Sequence, residues 1–258
     1  MRRLGLSVPA WRAWERLLTL ADRRHDPAIG HDDLPLPPGA LRVRVIMTTD
    51  PEQFMTSGAI EKAQLAALAA THGLPMENVG RLLDFGCGCG RILRHWRAHF
   101  RLELHGSDND PLLVDWVGRA LPFVQAHRNG ALPPLPYASA SFGLVYAISV
   151  FTHLTRAEGE RWMAELQRIV RPGGLLMFSV LPVANLDRLR PTERSAFDRG
   201  ELVVQFAEAS RTNLCVAYHP EPYLRELTRD FQLLGARLVG LQPVWVARRP
   251  SPQTATGD

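Results

Sequence analysis

From residue 81 onward, short apolar runs alternate with stretches of helical period. Strand-like runs fall at 81–86, 102–107, 123–127, 142–149 and 175–181, with helical stretches between them at about 90–99, 110–120 and 155–170. Alternation of this kind predicts a parallel sheet joined by crossover helices. The sharpest helix signal is 155–170. Thr155 and Glu158 have capping-box spacing, and Trp162, Leu166 and Ile169 line one face. Pro172-Gly173-Gly174 should stop that helix.

On either side the pattern is less regular. Residues 1–25 predict a cap helix, with Trp11, Trp14, Leu17 and Leu18 on one face and Arg12, Arg16, Arg23 and Arg24 around it. Pro35, Pro37 and Pro38 mark a loop, and Ser57-Gly58 open an alanine- and leucine-rich helix to about Thr71. Beyond Leu181, the β-like runs Leu202–Phe206 and Leu214–Tyr218 predict a hairpin inserted above the sheet. A short helix at about 222–230 and strands at about 231–239 and 243–248 follow. The expected organisation is a cap and loop region (1–58), a main domain (59–250) carrying an insertion at 182–220 as a substrate lid, and a disordered polar tail (251–258).

Composition narrows the class. A chain of 258 residues, 46% hydrophobic and 22% charged, suits one α/β domain with attachments. Without an apolar run of about 18 residues, no membrane span is expected. The start, Met1-Arg2-Arg3, lacks a secretory apolar core. Three cysteines make no even disulfide framework, so a reducing, cytoplasmic compartment is expected. The net charge is only +4, and the arginines are spread rather than blocked, which argues against a nucleic-acid partner.

The candidate chemistry begins at Asp84-Phe85-Gly86-Cys87-Gly88-Cys89-Gly90-Arg91. Glycines at alternate positions between a strand and a helix allow positive φ and close backbone approach to a nucleotide-like ligand. A dinucleotide loop needs its third glycine where Arg91 stands, and no Gly-Lys-Ser/Thr follows. The loop therefore argues against both NAD and a nucleoside triphosphate. Asp108 ends the next strand, where a carboxylate can accept from a ribose diol. Asn129-Gly130 ends the third, either as an ordinary turn or as an amide facing an adenine edge.

In this order the motifs resemble class I S-adenosylmethionine-dependent methyltransferases. The resemblance rests on Leu83–Gly90, Gly106-Ser107-Asp108, the Leu-Pro segment before Ser141-Phe142, Ser149-Val150-Phe151-Thr152-His153-Leu154 and Arg168–Gly174. It covers residues 81–181 well and 40–250 loosely. It implies a Rossmann-like, doubly wound α/β fold with a seven-stranded sheet in the order 3-2-1-4-5-7-6, the last strand antiparallel. It also implies S-adenosylmethionine as cofactor and S-adenosylhomocysteine as product. By position, Gly86, Gly88 and Gly90 would pass under the methionine moiety, and Asp84 would hold the loop and the cofactor ammonium. Asp108 would take the ribose hydroxyls, Asn129 and Gly130 would meet the adenine, and Ser149 would lie near the methionine. The family often has Phe-Asp at Phe142-Gly143, aspartate at Asn129 and an apolar side chain at Asn109.

Methyl transfer needs in-line placement of a nucleophile, and a neutral hydroxyl also needs a base. His153 is the candidate base, with His219 behind it; Tyr146 and Tyr218 are candidate pocket residues. The pocket itself is expected from Met55-Thr56-Ser57-Gly58 and the insertion, around a small-molecule acceptor. Cys87 and Cys89 lack two further ligands at metal spacing, so no metal is expected. The competing readings are a binding module without catalysis and a nicotinamide-dependent oxidoreductase.

Overall fold

The computed structural model describes residues 29–251, together with positions 13 and 17. Apart from those two positions, the cap helix expected over 1–25 lies outside the described residues, as does the tail after residue 251.

Two helices lead into the sheet. Helix α1 (Gly39–Ile46) follows the prolines, and α2 (Pro51–Thr71) follows at once. Helix α2 begins earlier than its alanine pattern suggested. Asp50 caps it by accepting from Glu52 N at 2.9 Å, and Pro51 sits at its first position. Ser57 and Gly58 are therefore mid-helix. A β-carbon on Gly58 would strike the Arg91 carbonyl oxygen, so this glycine lets α2 press against the exit of the glycine loop.

The main sheet contains β1 (Arg81–Phe85), β2 (Glu103–Asp108), β3 (Val124–Arg128), β4 (Phe142–Ala147), β5 (Val170–Ser179), β8 (Gln232–Val239) and β9 (Gln242–Arg248). Strands β6 (Val203–Gln205) and β7 (Val216–Tyr218) form a separate antiparallel hairpin after β5, as expected for the insertion. The spatial order is β3-β2-β1-β4-β5-β9-β8. Strands β1 to β5 pair in parallel, and β9 runs antiparallel to β5. With the hairpin set aside, this is the expected 3-2-1-4-5-7-6 sheet.

Period-two alternation divides the core between the two faces. Leu82, Leu144, Tyr146 and Met177 pack with Leu65 and Leu68 of α2 and with Val117 of α3 (Pro111–Ala120). Leu83, Phe85, Val145, Ala147 and Phe178 pack with Trp162 and Leu166 of α4 (Arg156–Ile169), and with Tyr223 and Leu224 of α6 (Glu221–Leu227). Helix α4 carries the capping box expected from Thr155 and Glu158.

Three expectations change. The helix expected over 90–99 is one tight turn at Leu93–Trp96, because Arg91 and Arg94 are tied sideways rather than along an axis. Arg91 pairs with Glu61 at 2.6 Å and donates to Ser57 Oγ, while Arg94 forks onto both oxygens of Asp32. Pro172-Gly173-Gly174 is not a stop after the helix but part of β5, which takes over directly at Val170. The insertion also contains a helix the apolar pattern did not announce, α5 (Pro191–Asp198), with no buried residue. Among the described residues no helix is long and apolar enough to cross a membrane.

Candidate functional site

The C-terminal ends of β1, β2 and β4 bring most of the expected site residues together. Gly86, Gly88 and Gly90 all have positive φ, at 82°, 55° and 82°. Side chains would be strained in that region, and here they would also collide. A β-carbon on Gly86 would hit Val150 Cγ2, and one on Gly88 would come within 2.7 Å of Val45 Cγ2 on α1. The loop is stitched to β2: Gly86 N and Cys87 N donate to the Ser107 carbonyl at 2.7 and 3.0 Å.

Asp108 also helps hold this loop. Its carboxylate accepts from Gly88 N and from Asp110 N, each at 2.9 Å. Burial raises its pKa, and those N–H groups pull the other way. Each oxygen keeps further lone-pair capacity, so the carboxylate can take ribose hydroxyls while it shapes the loop.

Beyond Asp108 lies an open cavity of about 370 Å³, lined by Asn109, Arg128, Asn129, Gly130, Ala131 and Arg211. It is open to solvent, and its lining is more polar than apolar. Asn129 contributes here, but its amide is engaged within the fold. It accepts from Ser107 Oγ at 2.8 Å and donates to the Gly130 carbonyl at 2.8 Å.

Asp84 is buried beneath the loop. It is hydrogen-bonded to Tyr146, whose hydroxyl also accepts from Trp96 Nε1 at 3.2 Å. Burial pushes the Asp84 carboxyl up to about 8, although Tyr146 and the Arg91 charge oppose that. The folded carboxyl thus holds its proton at pH values where the unfolded one, near 3.8, has lost it. Stability should fall as pH rises from about 4 to 8. Asp84→Asn is expected to flatten this slope and to raise the melting temperature of the ligand-free protein at pH 8. Thermal melts across pH check it; a slope equal to the parent's contradicts it.

Ser149 has φ 59°, its N–H donates to Ser179 Oγ at 2.7 Å, and its hydroxyl donates to Gln242 Oε1 at 3.1 Å. It is locked to β5 and β9, a role its sequence neighbourhood did not suggest. Tyr146 and Tyr218 are buried, and the Tyr218 hydroxyl reaches Gln205, so neither lines an open pocket. Met55 and Gly58 are buried within α2, while Thr56 is exposed and Ser57 half-buried.

His153 follows β4 and is clasped by the insertion. Its Nδ1 is 2.7 Å from the Cys215 carbonyl, and its own carbonyl accepts from Arg211 N at 2.7 Å. Burial lowers its pKa, which keeps the ring neutral at pH 7. His219 is pushed down to about 4 by burial, and among the described residues its Nδ1 has no hydrogen-bond partner. Burial pushes the Cys87 thiol up and Cys89 to about 12, so neither is a thiolate. Among the described residues no group of His, Cys, Asp and Glu is arranged to hold a metal.

Residues 83–178 match the family described as a methyltransferase domain. The chain is 33% identical over 125 residues to a malonyl-[acyl-carrier protein] O-methyltransferase of Enterobacter lignolyticus (strain SCF1), covering 47% of each chain. It is 26% identical over 200 residues to the protein of the same name from Hahella chejuensis (strain KCTC 2396), covering 67% of this chain and 68% of that one. The chain spans about half the length of the first of these relatives. In fold it resembles the 1,6-didemethyltoxoflavin-N1-methyltransferase of Burkholderia thailandensis, solved with S-adenosylhomocysteine. The TM-score is 0.53 at 20% identity, over 76% of this chain and 80% of that one.

Proposed function

The chain belongs to the class I S-adenosylmethionine-dependent methyltransferase family, and from that premise we propose that it transfers a methyl group to a small-molecule acceptor. S-adenosylmethionine supplies an electrophilic methyl on a sulfonium; S-adenosylhomocysteine is the product. The observation that carries the reading is the left-handed Gly86–Gly90 loop, joined to Asp108 through Gly88 N beside an open cavity.

The residues fit such a cofactor. The glycine loop offers backbone without side chains, Asp108 has acceptor capacity for a ribose diol, and the cavity beyond it suits an adenine. The chain's own work is positioning and exclusion of water. Val45 of α1 and Val150 after β4 press on the loop glycines and keep that end apolar. The acceptor then approaches from the side of His153 and the insertion. The relatives named above act on different acceptors, so their names do not choose one for this chain.

Asp108→Asn tests the reading. Isothermal titration should show micromolar binding of S-adenosylhomocysteine by the parent. The variant should bind roughly ten- to a hundredfold more weakly, the cost of losing hydrogen bonds to a charged group. An analogue lacking both ribose hydroxyls should bind the parent weakly and gain nothing from the native carboxylate. No binding by the parent sinks the methyltransferase reading. Equal binding of diol and dideoxy forms by the parent removes Asp108 from the ribose.

A further inference from the structure

The cavity beside Asp108 is not built by the α/β domain alone. Asn109, Arg128, Asn129, Gly130 and Ala131 come from the ends of β2 and β3, but Arg211 comes from the insertion. The domain's own contribution to the lining includes no aromatic ring. Asn109 is polar, the Asn129 amide is turned to Ser107 and Gly130, and neither Gly130 nor Ala131 has an extended face. A planar group on one face of an adenine held there would add a stacking contact.

Arg211 can supply it. Its backbone is in the left-handed region at φ 65°, unusual for a side chain of this size. Several contacts hold it in place. Arg211 N donates to the His153 carbonyl at 2.7 Å, and Nε lies 3.1 Å from Glu158 Oε1. Glu158 is fixed in turn by Thr155 and by Ser210 Oγ at 3.0 Å. Two residues further on, Asn213 Nδ2 donates to the Arg44 carbonyl at 2.8 Å, and the Arg44 side chain pairs with Asp110 at 2.5 Å. The loop therefore bridges the start of α4, the end of α1 and the start of α3. Arg128 also reaches the cavity, but among the described residues no hydrogen bond or ion pair orders its guanidinium. Arg211 already has a partner in Glu158 before any ligand arrives, which favours one direction for its guanidinium. Glu158 also offsets its charge, which limits repulsion of a sulfonium ligand.

We propose that the insertion completes the cofactor cavity, with the Arg211 guanidinium stacking on the adenine ring. The insertion then serves the methyl donor as well as the acceptor. The proposal rests on the reading of this cavity as an S-adenosylmethionine site.

The test is isothermal titration of the parent, Arg211→Ala and Arg211→Lys with both S-adenosylhomocysteine and S-adenosylmethionine, alongside thermal melts. The parent should bind both. Arg211→Ala should weaken both by the same factor, roughly three- to thirtyfold, the range of a guanidinium–ring contact. Arg211→Lys keeps the charge and the reach to Glu158 but loses the plane, and should weaken binding at least threefold. Should Arg211→Ala fail to fold, the lysine variant carries the test. Binding by Arg211→Lys equal to the parent's overturns the stack and leaves only an ion-pair anchor. Tighter binding of S-adenosylmethionine alone by Arg211→Ala reduces the residue to charge repulsion and overturns it too. A parent that binds neither ligand refutes the cofactor reading itself, an outcome distinct from these.

Discussion

Gly143→Asp, which restores the residue the family often carries after the phenylalanine of this strand, is expected to cost this protein more than about 4 kcal/mol of stability. The reason is steric and local. Any β-carbon at 143 would collide with the Val79 carbonyl oxygen, an atom of the backbone that cannot swing aside as a side-chain tip would. Gly143 sits where the β4–β5 register shifts between Phe142 and Leu144. The Gly143 carbonyl is itself crowded, because a β-carbon on Gly174 would come within 2.9 Å of it. An aspartate would add a charge between fully buried neighbours, Phe142 and Leu144, with the Val79 carbonyl repelling it. Gly143→Ala separates the two effects and should retain most of the loss through overpacking alone. Thermal melts read the result. A cost of that size lowers Tm by roughly 8–16 °C in a domain of this size, or abolishes the cooperative transition. A Gly143→Asp protein melting within about 3 °C of the parent would show that Val79 yields, and that the missing carboxylate is not a steric matter.

The same residue shows where sequence reasoning reached and where it stopped. The departure at Gly143 is visible in the chain, but its cause is a contact with Val79, 64 positions upstream, which no local pattern encodes. Local signals served well where the physics is local. Thr155 and Glu158 announce the start of α4 because a capping box closes within four residues, and the strands of the main sheet follow from their apolar runs. The order of those strands came from the resemblance, since apolar period alone does not rank neighbours in a sheet. Helix α2 starts ahead of its alanine-rich pattern because the Asp50-Pro51 cap stands before that pattern begins. The expected helix after the glycine loop shrank to one turn because Arg91 and Arg94 find partners on other elements. At the site, the glycines and Asp108 stand out in the sequence. What the sequence did not disclose is the second duty of Asp108 toward Gly88 N. It also did not disclose the reach of Arg211 and Asn213 across the domain, since both depend on how the insertion lies over the sheet.

His153→Ala is expected to reduce kcat at neutral pH by about a hundred- to a thousandfold for a hydroxyl or ammonium acceptor, with little change in S-adenosylhomocysteine affinity. The expectation comes from how the imidazole is held. With a carbonyl 2.7 Å from Nδ1, that nitrogen must carry the proton and donate it to Cys215 O, which leaves the lone pair on Nε2. Burial lowers the pKa below the ordinary 6.5, so the ring stays neutral throughout the physiological range. With the acceptor bound on the proposed side, a neutral imidazole with an unprotonated Nε2 would take a proton as the methyl is transferred. An already ionised acceptor has no proton to give and gains nothing from it, so a carboxylate substrate should be indifferent to the substitution. For a protonated acceptor the parent rate should be level above about pH 6.5. The variant rate should instead rise about tenfold per pH unit, because only the spontaneously ionised acceptor then reacts. A profile unchanged by the substitution rules out base catalysis by this residue. The holding geometry can be checked before any acceptor is known. NMR of the labelled imidazole should report a proton on Nδ1 and titration below the ordinary histidine value. A proton on Nε2 would mean that Cys215 does not set the tautomer, and His153 would then be a brace for the loop after β4; titration at 6.5 or above would mean that burial does not hold the ring neutral.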